Sequence, residues 1–302
     1  RSSDLIRIIF STLFAFVNTV AKLKNSDTLV LEHPYTFSYE KLLAKFAHFL
    51  GKRKNAKTVL IIHDINSIRF GKIPVKDEIA LFNLYDFIIC HNKVMESFLK
   101  ENSCTAKILI LGLFDYLIND EKNADSSYPM NEIAIAGNLA KSKCGYLYAF
   151  QNDFDVKINL YGVGADEKSL PPCMNYNGSF SPEELPSALK GKFGLVWDGG
   201  SLECGKDIVG NYLRYNNPHK ASLYITSGLP VIVWNESAIA SYITENKLGI
   251  AVDTLLNLPF TLRGIAENQY AEFLENVSHE RQELINGNHL KTAIEQILTL
   301  SK

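Results

Sequence analysis

The sequence predicts an α/β protein built from two doubly wound domains. Its 302 residues suggest about two domains, since one domain averages roughly 150 residues. Short apolar segments rich in β-branched residues alternate with longer helical patterns, which is typical of parallel strands covered by helices on both faces. One polar stretch, residues 119–131, interrupts this alternation and indicates a linker between the domains.

Composition places the chain among globular proteins and argues against nucleic-acid binding. Apolar residues make up 46% and charged residues 21% of the chain. The 31 basic and 33 acidic side chains leave a net charge of −2, whereas a nucleic-acid protein needs a large basic surface. The five cysteines form no C-x-x-C pair, so reduced and mostly structural thiols of a cytosolic protein are expected.

The first domain, residues 1–125, is predicted to begin with a helix. Residues 5–23 are strongly apolar but carry Arg7 and several polar side chains, which favours a buried helix over a membrane span or a signal peptide. A shallow membrane contact is the alternative. Because a doubly wound domain normally opens on a strand, a first strand and its loop are expected ahead of Arg1. Further strands are predicted at residues 28–31, 58–62, 87–90 and 107–111, with helices at 39–50 and 94–101.

The second domain, residues 126–285, repeats the alternation of strands and helices. Strands are predicted at residues 133–136, 156–160, 193–197, 230–234 and 250–252. Helices are predicted at residues 142–151, 182–189, 218–227 and 237–246. The tail, residues 269–300, predicts two helices broken at Gly287, and the helix in residues 286–302 is expected to pack back on the first domain.

A glycine turn follows the first strand of the second domain. Open parallel sheets bind ligands outside the carboxyl ends of their strands, so such loops are the candidate sites. Gly137 permits close backbone approach, and Lys141 near the start of the next helix could reach an anion. An ordinary turn with a solvated lysine is the alternative.

A second candidate is the segment 216–220, where a helix is predicted to begin. Asn217 suits the N-cap and Pro218 the first helical position. Lys220 then lies in the first turn, where a cation opposes the helix dipole unless an anion lies between them. A helix N-terminus with a lysine would clamp a diphosphate; an exposed lysine without a ligand is the alternative.

Two further loops carry weaker signals. Ser181 and Glu184 form a capping-box pattern, which indicates a helix start after the loop around residue 178. His63 and Asp64 follow a predicted strand and could supply a general base, although a structural role is the alternative. The sequence contains no P-loop, G-x-S-x-G or H-E-x-x-H motif, and no spacing of residues supports a metal site.

Four segments resemble the bacterial galactofuranosyltransferases and the streptococcal glucosyltransferase 3 group of GT-B glycosyltransferases. The resemblance covers about residues 55 to 255, and the last of the four segments is the most specific. The segments are VLIIHDI at 59–65, AGNLAK at 136–141, KFGLVWD at 192–198 and YNNPHKASLYITSGLPVIV at 215–233. The resemblance implies a GT-B fold of two Rossmann-like doubly wound domains facing across a cleft. It also implies transfer of a hexose, with galactofuranose as a candidate, from a UDP-sugar to a hydroxyl of a glycan acceptor.

The same resemblance implies roles for individual residues. Lys220 and Lys141 would hold the donor diphosphate. Lys141 replaces an arginine of the glucosyltransferase branch, so a single ammonium contact would replace a bidentate guanidinium–phosphate contact. Tyr161 and the loop around Gly178 and Phe180 would lie against the uridine. The other expected donor-binding residues are Gly137, Asn138, Asn217, His219 and, for the ribose or sugar, Asp198.

The mechanism implied by the resemblance is inversion without a metal. Retaining GT-B enzymes often carry a spaced pair of glutamates, and Leu223 stands where the second would fall. Direct displacement then needs a base, for which Asp64 is the first candidate and His63 the second. The lysines and the helix N-terminus would neutralise the leaving diphosphate in place of a metal or other cofactor.

The expected partners are a UDP-sugar donor and a glycan or lipid-linked glycan acceptor, and no nucleic acid. Self-association and a peripheral membrane contact are left open. The expected location is the cytoplasm, and a position at the inner face of the membrane is left open. Two alternatives remain at this point: a two-lobed solute-binding protein, and a sugar-nucleotide epimerase of the same architecture.

Overall fold

The chain folds into two α/β units, each with its own parallel sheet. The computed structural model describes residues 11, 14–15, 17–18, 22–34, 40–118 and 127–300. The units are Arg1–Ile110 and Leu111–Lys302, so the division falls ahead of the predicted boundary at residue 125. The predicted linker, residues 119–131, lies mostly outside the described residues.

The segment after Ile110 belongs to the second unit, where it bonds to the last two helices. The Asp115 carboxylate accepts hydrogen bonds from the backbone N–H groups of His289 at 3.2 Å and Leu290 at 2.8 Å. The Tyr116 N–H donates to the Leu284 carbonyl at 3.2 Å. The packing of the final helix on the first domain stays a prediction.

The first unit contains a four-stranded parallel sheet in the order β1-β2-β3-β4. Each strand begins within one residue of its predicted start. The strands are β1 Thr28–His33, β2 Lys57–Ile62, β3 Phe87–Cys90 and β4 Lys107–Ile110. The helices are α1 Glu40–Arg53, α2 Asn66–Arg69, α3 Val75–Phe82 and α4 Lys93–Glu101. The central strands β2 and β3 are almost wholly buried, which explains their continuous apolar sequence.

The predicted buried helix at residues 5–23 falls largely outside the described residues. Residues 11, 14, 15, 17 and 18 are helical, whereas residues 22 and 23 are not. Phe14 is 73% exposed and Val17 is 43% exposed, so burial is wrong at these two positions. Within the part of the chain that the structure describes, no helix is long and apolar enough to cross a bilayer. All five cysteines are free thiols, as predicted.

The second unit contains a six-stranded parallel sheet in the order β10-β9-β8-β5-β6-β7. The strands are β5 Glu132–Asn138, β6 Lys157–Val163, β7 Met174–Tyr176, β8 Phe193–Val196, β9 Val231–Trp234 and β10 Gly249–Val252. The helices are α5 Lys141–Cys144, α6 Leu185–Ala188, α7 Ile208–Asn211, α8 His219–Thr226, α9 Ala240–Glu245, α10 Leu258–Arg263, α11 Glu267–Ile285 and α12 Asn288–Leu300. The predicted break between the last two helices is confirmed at Gly287, which has a φ of +70°.

Three predicted helices of the second unit are shorter than expected, and the one predicted at 237–246 is reduced to α9. The helix predicted at 142–151 ends at Cys144 and continues as the 3₁₀-helix Gly145–Ala149. The helix predicted at 182–189 is reduced to α6, although its capping box forms. The backbone N–H groups of Ser181 and Glu184 each donate to the other residue's side chain at 3.3 Å.

A buried histidine joins three elements of the first unit. His33, at the end of β1, contacts Glu40 through Nδ1 and Glu78 Oε1 through Nε2, the latter at 2.9 Å. The Glu78 carboxylate also accepts from the backbone N–H groups of Asn66 and Ser67, each at 2.8 Å. Burial alone lowers the pKa of His33, but the bonds and charges of Glu40 and Glu78 outweigh it and raise the pKa to about 8.

We expect this histidine to make the stability of the first unit depend on pH. Because the folded pKa of His33 lies above its value of 6.5 in the unfolded chain, its stabilisation is complete below pH 6.5 and is lost as the pH rises through 8. A shift of this size corresponds to about 2 kcal/mol. Denaturant unfolding at pH 6 and pH 9 measures this effect. From pH 6 to pH 9 the free energy of unfolding of the native chain should fall by about 2 kcal/mol more than that of His33→Gln. Equal losses in the two proteins would contradict the assignment.

Candidate active site

The ends of β5 and β6 approach each other through two glycines. Gly137 has a φ of +122° and Gly162, its partner in register, a φ of +136°. A Cβ on Gly162 would lie 1.8 Å from the Gly137 carbonyl oxygen, so no side chain fits there. The Asn138 Oδ1 accepts from the Ala140 N–H at 3.0 Å and turns the chain into α5. The predicted glycine turn is therefore present at the carboxyl edge of the sheet.

Lys220, the second residue of α8, lies beside this turn. Its Cε would be 3.5 Å from a Cβ on Gly137. Its Nζ donates to Asp198 Oδ1 at 2.8 Å and to the Trp197 carbonyl oxygen at 3.1 Å, directly after β8. Burial alone lowers the pKa of Lys220, but Asp198 outweighs it and raises the pKa, so the ammonium stays charged. The alternative of an exposed lysine does not match the structure, because only 13% of this side chain is exposed and it pairs with Asp198.

The residues before Lys220 differ from the predicted cap. Pro218, not Asn217, is the N-cap of α8, and no side chain caps this helix. The Asn217 side chain is buried and donates to the Gly112 carbonyl oxygen at 2.8 Å. The exposed His219 ring stacks on Phe114 with centroids 4.1 Å apart. The start of α8 is thus fixed by residues about a hundred positions earlier, which local sequence patterns could not reveal.

The two lysines of α5 have different partners. Lys141 donates to Asp166 Oδ2 at 2.8 Å and lies over the Tyr148 ring at 4.6 Å, with more than half of its side chain exposed. The Lys143 Nζ lies 3.2 Å from Asp198 Oδ2, the carboxylate that also binds Lys220. Sequence reasoning missed Lys143, although it stands two positions after Lys141 in the same segment. The structure therefore brings Lys143 to Lys220 and gives Lys141 another partner.

The expected uridine-binding residues lie on β6 and after β7. The Gly178 carbonyl accepts from the Gly162 N–H at 2.8 Å, and a Cβ on Gly178 would face open space. The Phe180 ring is 42% exposed and 6.0 Å from the Tyr161 ring. Tyr161 is only 1% exposed and accepts a hydrogen bond from the Lys190 N–H at 3.1 Å, and burial raises its pKa to about 12. Its ring packs in the core, so this burial does not favour the contact with uridine that the resemblance implies.

In the first unit, His63 and Asp64 follow β2 as predicted. Asp64 forms an ion pair with Arg69, and about a fifth of its side chain is exposed. The His63 Nε2 lies 3.5 Å from the Glu32 carboxylate of β1, and about a third of its side chain is exposed. Each candidate base therefore has a charged neighbour. The sequence did not single out Glu32, because an exposed glutamate on a strand carries no local signal.

Charged groups in the described ranges do not form a metal-ligand cluster. No group of three or more histidine, cysteine, aspartate or glutamate residues there could hold a metal ion. The ion pairs of Lys220 and its partner Asp198 within the described residues join two ammonium ions to one carboxylate. This group of three side chains therefore has an excess of positive charge.

Both units match models of one protein family. Residues 133–297 match the C-terminal domain of glucosyltransferase 3-like proteins, and residues 12–113 match their N-terminal domain. The chain belongs to the glucosyltransferase 3-like family. It is a glycosyltransferase, and the comparisons support neither the solute-binding protein nor the epimerase.

Individual relatives agree with this family. The chain is 32% identical over 281 residues to the β-1,6-galactofuranosyltransferase WbbI of Escherichia coli K12, covering 91% of this chain and 80% of that protein. It is 26% identical to glucosyltransferase 3 of Streptococcus gordonii, covering 76% of this chain and 67% of that protein.

Solved structures confirm the predicted GT-B fold. Sucrose-phosphate synthase from Thermosynechococcus elongatus superimposes with a TM-score of 0.62 at 13% identity, covering 96% of this chain and 78% of that one. Anabaena Alr3699/HepE in complex with UDP superimposes with a TM-score of 0.61 at 10% identity, covering 94% of this chain and 81% of that one.

Proposed function

We propose that this glycosyltransferase moves a hexose from a UDP-sugar to a hydroxyl of a glycan acceptor, with inversion. The observation that carries the proposal is the charged Lys220 at the start of α8, next to the glycine turn. A helix N-terminus and an ammonium both attract anions. A diphosphate gains negative charge as the bond to the sugar breaks, so this arrangement would stabilise the leaving group where charge develops.

The loop of Gly178 and Phe180 is the proposed binding site for the uracil base. Its glycine is tied to the end of β6 by the bond from Gly162, while the exposed Phe180 ring offers a face for stacking. The structurally similar HepE was crystallised with UDP, which agrees with this donor.

Galactofuranose is the proposed sugar. The chain is 32% identical to a β-1,6-galactofuranosyltransferase and 26% identical to a glucosyltransferase 3. The higher identity favours the transfer of galactofuranose. A β-linked product from an α-linked donor requires inversion at the anomeric carbon. Glucose is the alternative sugar.

The reaction would be a single displacement. The acceptor oxygen forms the new bond to the anomeric carbon as the bond to the β-phosphate oxygen breaks, and UDP leaves with both electrons of that bond. The acceptor proton passes to a base, for which Asp64 is the first candidate and His63 the second. No metal is needed in this scheme, because the ammonium groups and the helix N-terminus neutralise the diphosphate. Self-association, membrane contact and a cytoplasmic location stay predictions.

Calorimetric titration of the native chain with UDP, ADP and GDP tests the donor. UDP should bind at least about 10-fold more tightly than the purine nucleotides, because the base site must discriminate by shape and hydrogen bonding. The binding should persist in EDTA. No binding of UDP, or equal binding of all three nucleotides, would overturn the proposed donor.

A further inference from the structure

We propose that Lys143 is the second cation that binds the donor diphosphate, alongside Lys220. We further propose that Asp198 is a positioning residue that holds the two ammonium groups together until the donor arrives. The inference rests on the proposed function, since the ligand is the diphosphate of the UDP-sugar. In this proposal Lys143, and not Lys141, makes the second contact with the diphosphate.

One carboxylate bridges the two lysines. Asp198 Oδ1 is 2.8 Å from the Lys220 Nζ, and Asp198 Oδ2 is 3.2 Å from the Lys143 Nζ. Each carboxylate oxygen of Asp198 therefore faces one ammonium group. The two ammonium groups are held at a spacing that two oxygens of a diphosphate can also bridge. The group carries two positive charges and one negative charge. Its net positive charge would attract a diphosphate.

Lys220 is oriented so that a hydrogen-bond donor remains for a ligand. An ammonium has three N–H groups, and the structure gives this one two acceptors, Asp198 and the Trp197 carbonyl oxygen. Gly137 leaves space beside the lysine side chain, where a Cβ would already be in contact with its Cε at 3.5 Å. Among the described residues the structure gives no third acceptor to this ammonium, and we infer that its third N–H serves the ligand.

Lys143 is fixed above Asp198 by its backbone. Its N–H donates to the Ala140 carbonyl at 2.8 Å, and its carbonyl accepts from the Gly199 N–H at 2.8 Å. The second bond joins α5 to the residue directly after Asp198. With 30% of the side chain exposed, the ammonium is held by the carboxylate and remains accessible to solvent.

Lys141 is engaged elsewhere. Its carboxylate partner, Asp166, also accepts from Ser169 Oγ at 2.7 Å, and Tyr148 lies beneath the ammonium. These groups belong to the loop after β6 and to the 3₁₀-helix after α5. Moving Lys141 to the diphosphate would break this set of contacts, whereas Lys143 already shares a partner with Lys220.

Titration of UDP and uridine into lysine variants tests the assignment. Lys143→Met should weaken UDP binding by about 10- to 100-fold, the value of a charge-assisted hydrogen bond, and leave uridine binding unchanged. Lys143→Arg should retain most of the affinity. Lys141→Met and the control Lys157→Met should stay within about threefold of the native chain. Lys157 is a suitable control because it is an exposed lysine paired with Glu132 at the opposite end of β6.

Several outcomes would overturn the inference. If Lys143→Met binds UDP within threefold of the native chain while Lys220→Met loses UDP, Lys143 is not a ligand and the proposed function stands. If Lys141→Met loses more UDP affinity than Lys143→Met, Lys141 and not Lys143 makes the second contact with the diphosphate. If the native chain binds no UDP, both the proposed function and this inference fail.

Melting temperatures with and without UDP test the role of Asp198. Asp198→Asn keeps the shape of the side chain but leaves the two ammonium groups without an anion. We expect its melting temperature to fall in the free protein and to recover most of that loss at saturating UDP, because the diphosphate replaces the charge. A residue that merely stabilises the fold would show the same loss with and without UDP, and that result would contradict the positioning role.

Discussion

Replacing Lys220 with methionine is expected to weaken UDP binding by about 100-fold or more. The variant loses the ammonium that Asp198 and the Trp197 carbonyl oxygen hold at the start of α8. It also leaves the buried Asp198 with Lys143 as its remaining cation. Methionine keeps the aliphatic contact with the glycine turn, so the change tests charge more than packing. Calorimetry with UDP measures the effect.

Uridine provides the matched control for this variant. Because uridine lacks the diphosphate, its affinity for Lys220→Met should stay within about threefold of the native value, and the far-ultraviolet circular dichroism should be unchanged. Native-like UDP affinity in Lys220→Met would remove the observation on which the proposed donor site rests. Equal losses of UDP and uridine affinity would indicate damage to the fold of the second unit.

Replacing the proposed base should lower kcat by about 10²- to 10⁴-fold with UDP affinity unchanged. Asp64→Asn is the first variant, since asparagine keeps an acceptor for Arg69 but cannot take the acceptor proton. His63→Gln is the second, because the His63 Nε2 lies 3.5 Å from the Glu32 carboxylate. UDP release at saturating donor and acceptor measures kcat for both.

The two variants distinguish the candidates from each other. A large loss in Asp64→Asn with a small one in His63→Gln supports the carboxylate, and the reverse supports the imidazole. If both variants turn over at the native rate, the base lies elsewhere in the chain. The variants Arg69→Gln and Glu32→Gln then report whether either neighbour matters for turnover.

Most strands were predictable from sequence because they are buried on both faces. The strands β3, β8 and β9 are continuously apolar and β2 is so after its first two residues. Each lies within its predicted segment or within one residue of it. The strand β7 was missed since it has only three residues and places a polar side chain between two half-buried ones. Short edge strands gain their stability from pairing, which the local sequence does not encode.

The candidate site was only partly predictable. The glycine turn follows a local rule of backbone conformation. The start of α8 was predicted to within one residue, but its predicted side-chain cap does not form. The shared partner Asp198 and the role of Lys143 depend on pairings between residues far apart in sequence. The same is true of the His33–Glu78 contact in the first unit. Such pairs become visible only when the sheet order is known.

Acceptor-dependent release of UDP from UDP-galactofuranose tests the central claim most directly. The account predicts that the native chain releases UDP only when a glycan with a free hydroxyl is present, that the product is β-linked, and that Lys220→Met does so at least about 100-fold less efficiently in kcat/KM. Conversion of the UDP-sugar without an acceptor, or no release of UDP from either UDP-galactofuranose or UDP-glucose with any glycan, would contradict it.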